Sequence, residues 1–276
     1  MQIKYFPVNS KNSYVVFENN DKIEELEPFM KENKLSRVIF SGFLGYSKSV
    51  LPFNEDIDVI EEISIQCSNI TDLTPLYHLS NIKKISIEEN AVLVHPFDIR
   101  KIAKLTDFFT DDTLKIDGFF DHPTLKQLHI EPKKTKKLDI HNENNILESL
   151  SIANSHILDL SNCKKLTQLK GLYIAYLPKI EDINFILDMP TLTDIEICSC
   201  KKIDNLIATL AQKNNLEKLT LWNQGNLDSI IPLSKLEHLT TLNIWEQTKI
   251  IDGKISFLEE MPNLKKIDIR KYTHYH

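Results

Sequence analysis

The chain has 276 residues, 42% hydrophobic and 26% charged, with a formal net charge of −6. Those proportions suit a globular chain with a sizeable core, and the acidic balance argues against nucleic acid or an anionic membrane as the main ligand, since both reward lysine and arginine clusters. With 6 glycines in all, glycine-rich phosphate loops are excluded.

The opening stretch MQIKYFPVNSKNSYVVF has neither the apolar core nor the cleavage site of a secretory signal. No run of 18 apolar residues predicts a transmembrane helix. Cys67, Cys163, Cys198 and Cys200 lack the dense spacing of a disulfide framework. A cytoplasmic chain with free thiols is the expectation.

Residues 1–34 begin with IKYF and YVVF, two short strands rich in β-branched and aromatic residues. A helical stretch follows from Asn20 and Asp21, with Ile23, Leu26, Phe29 and Met30 on one face. From Leu35 a phrase of aliphatic, two variable, aliphatic, one variable, aliphatic recurs. Its copies are LSRVIF at Leu35, IEEISI at Ile60, IKKISI at Ile82, LTDFFT at Leu105 and LKQLHI at Leu125. It continues as LESLSI at Leu147, LKGLYI at Leu169, LTDIEI at Leu192, LEKLTL at Leu216, LTTLNI at Leu239 and LKKIDI at Leu264. The starts are 25, 22, 23, 20, 22, 22, 23, 24, 23 and 25 residues apart, the period of a leucine-rich repeat solenoid.

Each phrase is a strand that alternates its side chains, with positions four and six inward and positions three, five and seven outward. Ile63, Ile85, Leu128, Leu150, Ile195, Leu219 and Leu242 are therefore core residues. The return of the second repeat spaces Ile70, Leu73, Leu76 and Leu79 by three, which suits a 3₁₀ turn. Later returns, INFILDMP, NLIATLAQ and ISFLEEMP, read as more helical. Local distortion is expected around 105–137, where LTDFFT is degenerate and EPKKTKK is a charged loop. The fold class is α/β: a curved parallel sheet with a mixed 3₁₀ and α convex side. Residues 1–34 form a βα cap, and 35–276 a solenoid of about ten repeats plus a closing strand, since solenoid ends need a cover.

NITDLTPLYHLSNIKKISI resembles the repeats of the internalin-like bacterial leucine-rich repeat family. The resemblance implies this fold and a binding role. The family often places Asn at the ninth repeat position; that column here reads Ser68, Asn90, Thr113, Lys133, Ser155, Leu177, Cys200, Gln224 and Gln247.

The outward columns from Ile60 through Cys198 carry Glu62, Glu88, Asp107, Asp111, Glu131, Asp194 and Glu196 against one base, Lys84. Phe109 and Tyr173 occupy position five. The chain's two tryptophans, Trp222 and Trp245, both occupy position seven of consecutive repeats. A solvated face is the bland reading of the acids, and packing against each other or under a loop is that of the tryptophans. Like charges on adjacent strands repel, so the imbalance favours a cationic ligand, and exposed Trp and Tyr are enriched at interface hot spots. The partner-binding set is accordingly Asp107, Phe109, Asp111, Tyr173, Asp194, Glu196, Trp222 and Trp245. Lys213, assigned to the convex side, is expected to be replaceable.

No catalytic residues, cofactor or metal are expected. The nine histidines form no zinc motif, Cys198 and Cys200 are too few for a zinc site, and His274 and His276 fall where the chain is expected to fray. Asp111 and Asp112 read as surface charge. The expected partner is a protein, not nucleic acid or membrane, bound by a monomer. Acidity and analogy with leucine-rich repeat inhibitors favour a bacterial immunity protein that neutralises a basic toxin domain. The alternatives are a non-inhibitory adaptor in a cytoplasmic complex and a carbohydrate binder using the concave aromatics.

Overall fold

The repeated phrase folds as a parallel β-strand each time, and within each unit the strands stack in sequence order. A computed structural model describes residues 1–5, 13–88, 93–111, 115–141 and 146–276. Two units divide at Glu131 and Pro132.

In the first unit β1 (Gln2–Tyr5) pairs antiparallel with β2 (Ser13–Val16), and β2 pairs parallel with β3 (Arg37–Ser41). β4 (Glu62–Gln66), β5 (Lys84–Glu88), β6 (Asp107–Thr110) and β7 (Gln127–Ile130) follow, all parallel. α1 (Leu26–Asn33) buries Leu26 and Met30, while Ile23 and Phe29 stay half-exposed. The second unit carries β8 (Ser149–Ala153), β9 (Gly171–Ala175), β10 (Asp194–Cys198), β11 (Lys218–Trp222), β12 (Thr241–Trp245) and β13 (Lys266–Ile269), each parallel to the next.

Aliphatic residues at positions four and six face inward because the strand period is two. All seven residues named as core from their position are buried: Ile63, Ile85, Leu128, Leu150, Ile195, Leu219 and Leu242. The degenerate copy keeps its strand, with Thr110 buried at position six and Phe108 at position four. The described part of the stretch expected to be distorted thus includes two strands in regular register.

The returns use short helices. Thr74–His78 is 3₁₀ with Pro75 in its first turn, where a missing N–H costs nothing. Of the three returns expected to be more helical, only Leu206–Leu210 is α-helical (α2); Asn184–Asp188 and Ser256–Glu260 are 3₁₀. All three segments are five residues long, and the tighter 3₁₀ ring suits i, i+3 packing.

Each strand from β8 to β12 is followed by a non-glycine residue with positive φ: Asn154, Tyr176, Ser199, Asn223 and Glu246. That left-handed step costs roughly 1–2 kcal/mol per residue. It turns the N–H of Asn154, Tyr176, Ser199 and Asn223 onto the carbonyl ending the next strand, at 3.0, 2.9, 2.9 and 3.3 Å. The step brings the ninth position inward, where Ser155 donates to the Pro132 carbonyl at 2.7 Å and Gln224 Nε2 donates to those of Ile197 and Trp222 at 2.8 and 2.9 Å. Leu177 fills the place without a polar group. Three members assigned by spacing are wrong. After β7 it is Pro132 that is buried, and Lys133 is half-exposed. After β4 no such step occurs, so Ser68 is exposed and Cys67 turns in, its Sγ 3.3 Å from the Tyr46 carbonyl. Gln247 is exposed and Thr248 is buried instead. Asn90 and Thr113 lie outside the described residues.

Two further expectations fail. Lys213 is 3% exposed, with its amine 2.5 Å from the Met189 carbonyl. Its head joins the Leu192 N–H on the Met189 carbonyl, so it is not a neutral surface position. Burial lowers its pKa. His274 and His276 are docked rather than frayed. His276 donates its N–H to Gly253 O at 2.9 Å, and its own carbonyl accepts from Ile255 and Ser256 at 2.9 and 3.2 Å. Tyr275 and His274 engage the N–H and carbonyl of Ile250.

The docked tail depends on Gly253. It has φ +68, and a Cβ there lies 2.4 Å from the His274 carbonyl oxygen. Gly253→Ala is expected to displace residues 272–276 at a cost of about 1–3 kcal/mol in lost hydrogen bonds and strain. Hydrogen exchange checks this: the Ile250, Ile255 and Ser256 amides should lose protection, and unchanged protection would contradict the role given to Gly253.

Candidate partner-binding face

The expected site residues fall in both units, and each unit presents its own outward columns. In the first, Asp107 and Phe109 stand on β6 and Asp111 follows it. Position three pairs Lys84 with Asp107, and their charged atoms lie 3.4 Å apart. Phe109 stacks on His129 of β7 with ring centroids 4.1 Å apart and planes 8° apart. Burial lowers the His129 pKa, opposed by the nearby Asp111 carboxylate. Glu62 accepts from Arg37 Nε at 2.9 Å and from the Tyr14 hydroxyl.

In the second unit three columns run across β8 to β12. Position three reads Ser149, Gly171, Asp194, Lys218 and Thr241; position five reads Ser151, Tyr173, Glu196, Thr220 and Asn243; position seven reads Ala153, Ala175, Cys198, Trp222 and Trp245. Cys198 is buried between Ala175 and Trp222, and the half-buried Tyr173 ring packs against Ala153, Ala175 and Cys198. Burial pushes the Tyr173 phenol up to about 12, so it stays a neutral donor.

Trp222 and Trp245 are neighbours in register. Their rings meet edge to face, centroids 6.1 Å apart and planes at 83°. That is a favoured aromatic geometry. Packing against each other, the bland reading, is thus real, yet Trp222 remains 36% exposed. Beside it at position five, Asn243 is only 7% exposed and its Nδ2 donates to Thr220 Oγ1 at 3.0 Å.

The acidic field is weaker than the residue count implied. Arg37 and Lys218, on strands outside the span counted, pair with Glu62 and Asp194; the Lys218–Asp194 contact is 2.8 Å. With Lys84 on Asp107, three of the seven acids are neutralised by position-three bases. Glu196 is different. It is half-buried, and among the described residues it has no hydrogen-bond or ion-pair partner. Its pKa is raised, by burial alone. The charged neighbours flanking it on β10 and β11 are Asp194 and Lys218, already joined to each other, and the neutral Tyr173 phenol faces it from β9.

A stability test follows from that isolation. Because the folded pKa is raised above the ordinary 4.5, the native state holds its proton longer than the unfolded chain, and stability falls as pH rises through that window. Above it the full penalty of a desolvated charge remains. Glu196→Gln is therefore expected to melt ~1–3 °C above wild type at pH 7, with the gap closing below pH ~4.5. A variant that melts lower at pH 7 would assign Glu196 a structural partner.

Cys198 and Cys200 are both buried thiols, and Cys200 Sγ lies 3.3 Å from the Cys198 carbonyl. Among the described residues no group of three His, Cys, Asp or Glu side chains is placed to hold a metal, and no helix is long and apolar enough to cross a membrane. Sequence reasoning passed over Gly171 and Lys218. Gly171 carried a signal, a rare glycine inside a strand phrase; Lys218 carried none until the strands were in register.

No protein-family model and no curated protein matches the chain. Solved structures do. An internalin (InlF) of Listeria monocytogenes superposes with a TM-score of 0.56 at 20% identity, covering 91% of this chain and 71% of that one. A leucine-rich repeat protein of Leptospira interrogans gives 0.51 at 14% identity, over 92% of this chain and 58% of that one. TLR13, in its complex with ssRNA13, gives 0.55 at 14% identity, over 94% of this chain and 43% of that one. The chain thus spans less than two thirds of the latter two. With the strand ladder and the 3₁₀ returns, these likenesses establish the leucine-rich repeat fold.

Proposed function

We propose that this leucine-rich repeat protein binds a basic protein partner on the face of its second unit that carries Tyr173, Glu196, Trp222 and Trp245, and that it does so without catalysis. One observation carries the reading: a tryptophan pair with Trp222 exposed shares three consecutive strands with a half-buried carboxylate that has no counter-charge among the described residues. Aromatic anchors supply interface energy, and an unsatisfied carboxylate favours a cation. Asp107, Phe109 and Asp111 of the first unit are proposed as secondary contacts, since Asp107 is already paired.

The specific form of the proposal is a cytoplasmic bacterial immunity protein, monomeric, that neutralises a basic toxin domain. The net charge of −6 supports it, because complementary fields speed capture. Residues 1–34 are read as the cap of the first unit, with β1 at the edge of its strand ladder. The edge-to-face tryptophans weigh against a carbohydrate binder, which would stack a sugar on an open ring face rather than on a ring edge. The test is capture on the immobilised protein followed by reconstitution with the purified retained protein. A basic protein should bind at 1:1, its association should slow as salt rises, and any toxic activity should be suppressed. A partner that binds with salt-independent association contradicts the charge argument; one that keeps its activity when bound favours the adaptor role.

A further inference from the structure

We propose that the notch over Gly171 in the second unit receives an arginine side chain of the protein partner, its guanidinium held between the Glu196 carboxylate and the Tyr173 ring. This rests on the binding-face reading above and names what that face recognises first.

The notch arises from side-chain size on either side of Tyr173. At position seven the neighbours Ala153, Ala175 and Cys198 are small, and the tyrosine ring packs onto them. At position three the neighbour on the same strand is Gly171, which leaves the row between Ser149 and Asp194 without a side chain. The tyrosine therefore forms a wall instead of a lid. The result is a cavity of about 250 Å³ lined by Ser149, Gly171, Tyr173, Asp194, Glu196 and Lys218, among others. A glycine in a strand interior often marks a close approach of another group, and nothing else at this site requires one. Gly171 has no positive φ, and an added Cβ meets only Ser149 Oγ, at 3.6 Å.

The electrostatics select the occupant. Glu196 lies opposite Tyr173 in register, and neighbouring strands are about 4.8 Å apart, so a group seated over Gly171 reaches both. Lys218, the cation at the rim, is engaged with Asp194 at 2.8 Å. That leaves Glu196 half-buried and uncompensated, an arrangement that costs stability in the free protein and is relieved by a cation from outside. A guanidinium fits better than an ammonium because its plane stacks on an aromatic face while its N–H fork meets a carboxylate, and because it sheds water more readily.

The probe is N-acetyl-arginine amide, titrated into the full chain and followed by amide NMR, with the uncharged citrulline analogue and the lysine amide as comparisons. Saturable shifts are expected at Gly171, Tyr173 and Glu196. Glu196→Gln should weaken them at least about tenfold, the scale of losing a charged hydrogen bond. Gly171→Val, which refills the notch and leaves every charge in place, should do the same, and the ordinary van der Waals contact its Cβ makes with Ser149 Oγ keeps that variant folded. Shifts centred elsewhere, an equal response to citrulline, or insensitivity to both variants would overturn the notch. Equal binding of lysine amide would overturn the preference for arginine. If the arginine probe fails while a basic protein still docks and is lost on tryptophan substitution, the notch falls and the binding face stands. If the probe binds and no protein does, the protein-partner reading falls.

Discussion

Leu150→Ala is expected to lower the unfolding free energy by about 2–5 kcal/mol. Leu150 is fully buried on β8, at position four, and lies in register with Leu172 of β9. Truncation removes three carbons from a column of identical packing positions, and the stacked strands, held by ladder hydrogen bonds, cannot move inward to refill the space. The same column supplies an internal control. Ile267 on β13, the last strand of the described sheet, is 44% exposed, so Ile267→Ala should cost less than about 1 kcal/mol. Urea unfolding followed by the fluorescence of Trp222 and Trp245, which lie in the same unit, measures both. A Leu150→Ala midpoint equal to wild type would remove Leu150 from the core.

Burial in this fold is legible because it depends on short-range spacing. A six-residue phrase with three aliphatic positions, recurring every 20 to 25 residues, places Ile63, Leu150 and Leu242 inside without any knowledge of neighbouring repeats. What one strand says to the next is harder to read. Lys218 neutralises Asp194, and Lys84 neutralises Asp107, across 24 and 23 residues of chain. A count of acids along a column misses both unless the bases on the flanking strands are aligned with it. Glu196 then emerges as the exception only after its neighbours have been paired off. The ninth-position column fails for a related reason. A left-handed residue at position eight turns position nine inward after Asn154, Tyr176, Ser199 and Asn223, which share no residue type that announces it, while after Glu246 the inward residue is Thr248. Lys213 is buried against the carbonyl of Met189, and the His274–His276 tail is docked by hydrogen bonds to Ile250, Gly253, Ile255 and Ser256; neither leaves a mark on hydrophobic periodicity.

Simultaneous replacement of Trp222 and Trp245 by alanine is expected to abolish partner binding at micromolar concentration while leaving the protein folded. Each ring alone should contribute about 2 kcal/mol or more if the pair is the anchor. The two are not additive, because removing one strips the edge-to-face contact from the other. Folding should survive, since both side chains stand at the outward seventh position while Leu219, Leu221, Leu242 and Ile244 hold β11 and β12 to the core. The charge reversal of Asp194 and Glu196 to Lys should act differently, slowing association most at low salt. Asp194 already has Lys218, so Glu196→Lys should account for most of that effect. Lys235→Ala, on an exposed return of the same unit, serves as the neutral control in place of the buried Lys213. Titration calorimetry against the reconstituted partner, with far-UV circular dichroism of each variant, separates these outcomes. A folded Trp222→Ala/Trp245→Ala protein that binds like wild type would move the anchor off this face, and the docked C-terminal tail and the exposed returns would become the surfaces to test next.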